Sequence, residues 1–148
     1  MIRRYDSLIV QRIARLLIPL IQIFALYVFF HGHYSPGGGF QAGVLIGASL
    51  ILKLLVGSVK EREEFSVKAE FVMATLGVLI FLGIGICALS SGGRFFDYGA
   101  IGALGKEIAM RRYWGILIAE GGVLMVVSMT LVVIFHVLAI TPDEDEQP

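Results

Sequence analysis

The sequence predicts an all-α membrane protein with four transmembrane helices and a glycine-rich turn between the first two. Of the 148 residues, 57% are hydrophobic and only 16% are charged, and the mean hydropathy is +0.83. A soluble domain of this size carries a larger charged share, so lipid must be the solvent for most of the chain. The formal net charge of zero gives no electrostatic basis for binding nucleic acid.

Four apolar runs define the predicted spans. The first run is short, because a span needs roughly 20 residues, so we extend it back to residue 8 and place Arg12 and Arg15 at the interface. The predicted spans cover about residues 8–30, 39–57, 71–89 and 113–140. Residues 90–112 form the longest connection between spans. The sequence is compatible there with either short helices or a hairpin. We expect one membrane domain over 1–142 and an acidic tail over 143–148.

The distribution of basic residues predicts that both termini are cytoplasmic. Four spans put the termini on one side, and basic residues are commoner on the cytoplasmic side of membrane proteins. Seven basic residues lie on the side of the termini: Arg3, Arg4, Arg12, Arg15, Lys60, Arg62 and Lys68. Four lie on the other side: Arg94, Lys106, Arg111 and Arg112.

The connection between the first two spans is polar and rich in glycine. A proline ends helical geometry there, and three glycines in succession permit backbone conformations closed to other residues. Glycines spaced four apart then form a stripe where another helix can approach closely. The predicted turn and packing residues are Pro36, Gly37, Gly38, Gly39, Gly43 and Gly47. A phosphate-binding loop is excluded, because no Lys-Ser/Thr follows the glycines.

Glu120 is the only acidic residue inside a predicted span. It lies about 10 Å below Tyr113 by helical rise, in the outer half of the membrane. An isolated carboxylate there is costly, so it must be protonated, paired or exposed to a hydrated cavity. Small residues around it would let a neighbouring chain come close: Gly115, Ala119, Gly121 and Gly122. Ion or proton handling and a structural hydrogen bond to another helix both remain open.

Lys53 is a second candidate for the ion or proton path. It lies about one turn inside Gly57, so extension of its side chain to the cytoplasmic surface would explain it. If it faces the protein instead, it resembles the buried lysines of proton-pumping membrane subunits. Glu120 belongs to the opposite leaflet, and Glu70 is the more plausible partner for Lys53.

The three histidines complete the set of candidates for the ion or proton path. His31 and His33 lie at the outer surface, where they form either a proton entry point or a turn held by hydrogen bonds. His136, near the cytoplasmic end of the fourth span, is either interfacial or part of a relay.

No residue pattern predicts catalysis or a bound cofactor. Two histidines separated by one residue do not share a helix face, which argues against a metal site. Cys87 is the single cysteine, so an internal disulfide and a CxxC motif are excluded. We expect this chain to bind no cofactor and not to be an enzyme by itself.

The run Phe-Phe-His-Gly-His-Tyr-Ser-Pro-Gly-Gly-Gly-Phe-Gln-Ala-Gly, residues 29–43, resembles the signature of the MnhB/MrpB family. That family comprises subunits of multi-subunit Na+/H+ antiporters, with relatives in membrane-bound hydrogenase and sulfane reductase complexes. The four-span layout and the loop motif at 93–97 also fit. The family's fourth span carries an acidic residue followed by glycine, and Glu120-Gly121-Gly122-Val123 stands in that place here.

The resemblance implies a small membrane subunit that helps to form a sodium path. Its expected partners are other small and large Mrp-type antiporter subunits and the lipid bilayer, and Na+ and H+ are the transported ions. The resemblance leaves open whether the parent complex is an antiporter or carries a hydrogenase-like peripheral module. The alternatives are a purely structural subunit, with ions moving through its partners, and a stand-alone small transporter, against which the lack of a detectable inverted repeat argues.

Overall fold

The computed structural model describes residues 8–32, 36–57 and 66–140, and four long helices make up most of that part of the chain. They are α1 (Leu8–His31), α2 (Gly39–Val56), α3 (Val67–Ser90) and α4 (Ile108–Ile140). Two short 3-10 turns, Tyr98–Ala100 and Gly102–Leu104, lie between α3 and α4. All four helices are long and apolar enough to cross a membrane. The prediction of an all-α protein with four transmembrane helices is confirmed.

Two helices begin earlier than the hydropathy of the sequence predicts. α3 starts at Val67 rather than near 71, and α4 starts at Ile108 rather than near 113. In both helices, charged side chains lie in the first turns. Long charged side chains are tolerated near the end of a transmembrane helix, because they can extend to the polar interface. The 33 residues of α4 rise about 50 Å, well beyond the roughly 30 Å of a bilayer core. α4 is therefore about 20 Å longer than an untilted span requires.

The helices form a single row in the order α1, α2, α4, α3. Each helix packs against its neighbour in the row, and helices further apart barely touch. The glycines of α2 meet successive positions of α4: Gly39 lies at Glu120, Gly43 at Leu124 and Gly47 at Ser128. α2 and α4 therefore run parallel, as alternating spans require. We call the end where α2 begins the turn side and the end where α1 begins the terminal side.

Backbone contact joins the middle helices to their neighbours. A methyl group at Gly43 would lie 2.9 Å from both the carbonyl oxygen of Leu124 and the Cβ of Val127. On the other face of α4, a methyl group at Gly77 would lie 2.7 Å from the carbonyl oxygen of Gly122. The helix that fills the glycine stripe of α2 thus belongs to this chain. The small residues around Glu120, which suggested a neighbouring chain, also pack largely within the chain.

The connection between α3 and α4 folds back over the turn side. Ile101 is buried there with Ile84 and Ala88 of α3 and Ala119 of α4. Outside this small core, most large apolar side chains of the described helices are exposed on the isolated chain, as expected of surfaces that face lipid or other subunits.

Candidate functional site

The carboxyl group of Glu120 lies directly against the glycine-rich turn. A methyl group at Gly38 would lie 3.2 Å from its Oε1, and one at Gly32 would lie 3.3 Å from its Oε2. A methyl group at Gly39 would collide with the carbonyl oxygen of Glu120 itself. Gly38 has φ 110°, a conformation that glycine adopts far more readily than other residues. We call Glu120, Gly32, Gly38 and Gly39 the turn site.

Backbone hydrogen bonds hold the turn in place over the carboxyl. The N–H of Gly38 donates to the carbonyl oxygen of Val28 at 3.3 Å, and the N–H of Gly32 donates to that of Phe29 at 3.4 Å. The chain leaving α1 is thereby tied to the chain entering α2. A methyl group at Gly37 would lie 2.8 Å from the oxygen of Val28, so the turn has little space for a side chain.

One carboxyl oxygen of the turn site has no hydrogen-bond partner among the described residues. Oε2 of Glu120 is buried and accepts no hydrogen bond from the described residues. The N-terminus of α2 carries the positive end of the helix dipole beside it, which favours a negative charge. A buried carboxyl oxygen without a donor is nevertheless costly. The arrangement suits a proton, a small cation or a group from a neighbouring subunit.

Tyr98, in the first 3-10 turn, packs on α4 near the turn site. Its ring lies where a side chain at Gly115 would be, with Cβ and Cγ 2.5 Å from the position of a methyl group there. Burial raises the pKa of Tyr98, and the negative charge of Glu120 raises it further. Its hydroxyl therefore stays protonated at neutral pH. Sequence reasoning missed Tyr98, because nothing in the spacing of the residues shows where the loop returns to α4.

A second buried carboxyl lies on the terminal side. Glu70 is only 3% exposed, and its Oε2 lies 2.9 Å from Nδ1 of His136. Oε1 of Glu70 is buried and has no hydrogen-bond partner among the described residues. The expectation that Glu70 pairs with Lys53 is wrong, because Glu70 meets α4, whereas α2 and α3 are not neighbours in the row.

The remaining candidates have separate surroundings. Lys53 and Arg15 line an open cavity of about 230 Å³ between α1 and α2 on the terminal side. Lys53 is 14 residues from Gly39, about 21 Å along α2, which agrees with its expected separation from Glu120. The ring of His31 stacks on Tyr27, and its Nδ1 donates to the carbonyl oxygen of Tyr27 at 3.1 Å. His33 lies outside the described residues.

In the part of the chain that the structure describes, no three His, Cys, Asp or Glu side chains come together as they would around a resident metal ion. The structure therefore brings together Glu120 with the turn glycines, and His136 with Glu70. It does not join these two groups to each other.

Fold and sites together define a multi-pass membrane protein with ionisable groups buried between its helices. The chain belongs to the MnhB family: the family model, a domain related to the MnhB subunit of Na+/H+ antiporter, matches residues 9–136. The family resemblance predicted from the turn is confirmed.

Two relatives illustrate the likeness. The chain is 29% identical over 137 residues to an Na(+)/H(+) antiporter subunit of Bacillus subtilis (strain 168), a match that covers 89% of this chain and 93% of that protein. It is 32% identical over 76 residues to the putative antiporter subunit mnhB2 of Staphylococcus aureus (strain Newman), covering 51% of this chain and 53% of that protein.

Proposed function

We propose that this chain is a membrane subunit of a multi-subunit Na+/H+ antiporter and that Glu120 provides a carboxyl group of the cation or proton path. The observation that carries the proposal is the buried Oε2 of Glu120, which has no donor among the described residues. Membership of the MnhB family supports the antiporter as the parent complex. A hydrogenase-like parent complex is the alternative that the family resemblance leaves open.

The turn site would bind Na+ and H+ in alternation. A single carboxylate is one oxygen ligand, whereas Na+ in water is surrounded by several, so water and a neighbouring subunit supply the others in this proposal. The described glycines of the turn place backbone, rather than side chains, against the carboxyl. When the cation leaves, the N-terminus of α2 stabilises the remaining charge. The protonated hydroxyl of Tyr98 keeps the loop side of the site free of a competing charge.

The other candidates take secondary places in this proposal. With both termini in the cytoplasm, the turn site faces the outer side, where His31 and His33 would exchange protons with water. Lys53 and His136 lie near the cytoplasmic side. Other small and large antiporter subunits would cover the exposed apolar faces of the row.

The deciding experiment is Glu120→Gln in the assembled complex, with antiport measured in membrane vesicles. We expect at least a tenfold loss of Na+/H+ exchange while the complex stays intact on a native gel. The matched control is Glu107→Gln, which makes the same chemical change at an exposed acid just before α4. Undiminished exchange in an intact Glu120→Gln complex would exclude the role in ion handling.

A purely structural subunit is the second candidate function, favoured by the backbone contact along the glycine stripe. In that case ions move entirely through partner subunits. Glu120→Gln would then leave transport unchanged, and only substitutions that separate α2 from α4 would impair it. Antiport by the Glu120→Gln complex, compared with its Glu107→Gln control, therefore distinguishes the two functions.

A further inference from the structure

We infer that Glu70 and His136 form a second proton-binding site, on the terminal side of the membrane and independent of Glu120. The two side chains come from helices α3 and α4 and meet at 2.9 Å. Glu70 is almost wholly buried, and 13% of the His136 side chain is exposed.

The unsatisfied oxygen of Glu70 argues that the pair is more than a structural bond. His136 occupies Oε2, whereas Oε1 is buried without a partner among the described residues. A glutamine here would make the same contact with His136 and would place a donor, rather than a carboxylate oxygen, in the other position. Because Oε1 of Glu70 has no hydrogen-bond partner among the described residues, it can accept one added proton.

The chemistry of the pair favours a proton over a metal cation. Hard cations are bound by several oxygen ligands, and the described residues supply one carboxyl group and one imidazole here. No cluster of three His, Cys, Asp or Glu side chains occurs in the described ranges. A proton needs only one acceptor atom, and both members of this pair can hold it.

The site has a short path to water on the terminal side. Glu70 lies in the first turn of α3, and His136 lies about one turn before the end of α4. On the isolated chain 13% of the His136 side chain is exposed, and in this proposal that part of the imidazole exchanges protons with the aqueous phase. The proton comes from water on that side and returns to it, and no group is oxidised or reduced.

The geometry of α4 separates this site from the turn site. Glu120 and His136 are 16 residues apart on one helix, which corresponds to about 24 Å along the axis and about 160° around it. Glu120 faces the turn at the start of α2, whereas His136 faces α3. A proton on one site does not contact the other.

Among the described residues of α2 and α3, the charged side chains other than Glu70 are basic. Lys68 is exposed on α3 two residues before Glu70, and Lys53 lies in the last turn of α2 at a similar depth. Lys53 lines the cavity with Arg15 on the far side of α2. In the described parts of α2, α3 and α4, Glu70 and Glu120 are the only acids, so no third carboxyl from these helices competes for the proton.

The test is pH-difference infrared spectroscopy of the full-length chain in lipid bilayers. We expect carboxyl bands that disappear in Glu70→Gln and imidazole bands that disappear in His136→Gln. Because the groups share a hydrogen bond, His136→Gln must also move the Glu70 bands. Glu120→Gln, the control for independence, must leave both sets of bands unchanged.

Two results would overturn the inference. If Glu70→Gln leaves the difference spectrum unchanged, Glu70 does not change its protonation state. If His136→Gln leaves the Glu70 bands in place, the groups do not act as a pair. Circular dichroism verifies folding. If Glu70→Gln does not fold, Glu70→Asp replaces it; its carboxyl bands must then shift, and unshifted bands would equally overturn the inference.

The outcome is distinguishable from that of the function proposed for Glu120. Antiport by the Glu120→Gln complex tests the turn site, whereas the infrared bands of Glu70 and His136 test only the second site. Either result can fail while the other holds.

Discussion

The two sides of the molecule surround a buried carboxyl group in different ways. On the turn side, Glu120 lies against the backbone of Gly32 and Gly38, and its buried oxygen meets no donor among the described residues. On the terminal side, Glu70 reaches an imidazole at 2.9 Å. The described turn glycines present backbone rather than side chains to Glu120, whereas His136 gives Glu70 a side-chain partner. In the two proposals, cation exchange is assigned to the turn site and proton binding to the Glu70–His136 pair.

The largest expected effect comes from forcing apart the helices that form the turn site. Gly43→Leu would insert a branched side chain where a methyl group already lies 2.9 Å from two atoms of α4. Overpacking of this kind costs about 3 kcal/mol, and we expect the assembled complex to disappear from a native gel. The Glu70–His136 pair does not involve α2, so only one of the two sites is disrupted directly.

Gly83→Leu is the matched control for that substitution. Gly83 is also a helical glycine, but a methyl group there would meet nothing within 4 Å. We expect this variant to assemble normally. Equal loss of assembly in both variants would show that added bulk, and not the α2–α4 contact, is responsible.

A smaller effect concerns the stability of the folded chain, which the two glutamate-to-glutamine substitutions should change differently. Glu70→Gln keeps the contact with His136 but replaces a charged acceptor by a neutral one, and the difference between two such hydrogen bonds is about 1 kcal/mol. Glu120→Gln removes an oxygen that accepts no bond from the described residues, so we expect little change or a gain. Thermal unfolding of each variant in lipid nanodiscs measures the difference. Equal destabilisation by the two substitutions would contradict the contrast between the sites.

The smallest effect concerns Tyr98 and appears only at high pH. Burial and the charge of Glu120 raise the pKa of Tyr98 above its ordinary value of 10.0. A group whose pKa is raised by folding contributes stability below its unfolded pKa, and this contribution is lost as the pH rises through the folded pKa. We therefore expect stability to fall above about pH 10, and Tyr98→Phe to reduce that fall. An unchanged alkaline profile in Tyr98→Phe would contradict the assignment.

The sequence was sufficient for the spans and the turn, because both depend on local composition. Apolar runs mark the four helices, and a proline with three glycines marks the break between α1 and α2. Helix starts were less predictable: charged residues at 68, 70, 111 and 112 resemble loop sequence, yet they lie inside α3 and α4.

The sites could be predicted only in part, because they depend on which helices are neighbours. The sequence marks Glu120 as an acid in an apolar span, but its contact with the turn depends on the parallel packing of α2 and α4. Glu70 and His136 are 66 residues apart, and no periodicity relates them. The sequence places Lys53 and Glu70 on the same side of the membrane, but it does not show that α4 lies between their helices.

The order of the helices also bears on how such a chain would be accommodated among larger neighbours. A single layer of helices is only about 10 Å thick. Its two broad faces point sideways within the membrane, in opposite directions. Two larger proteins can therefore pack against opposite faces of this layer and remain one helix diameter apart. Whatever passes between them would have only one helix width to cross, and residues in α2 and α4 would be within reach of both.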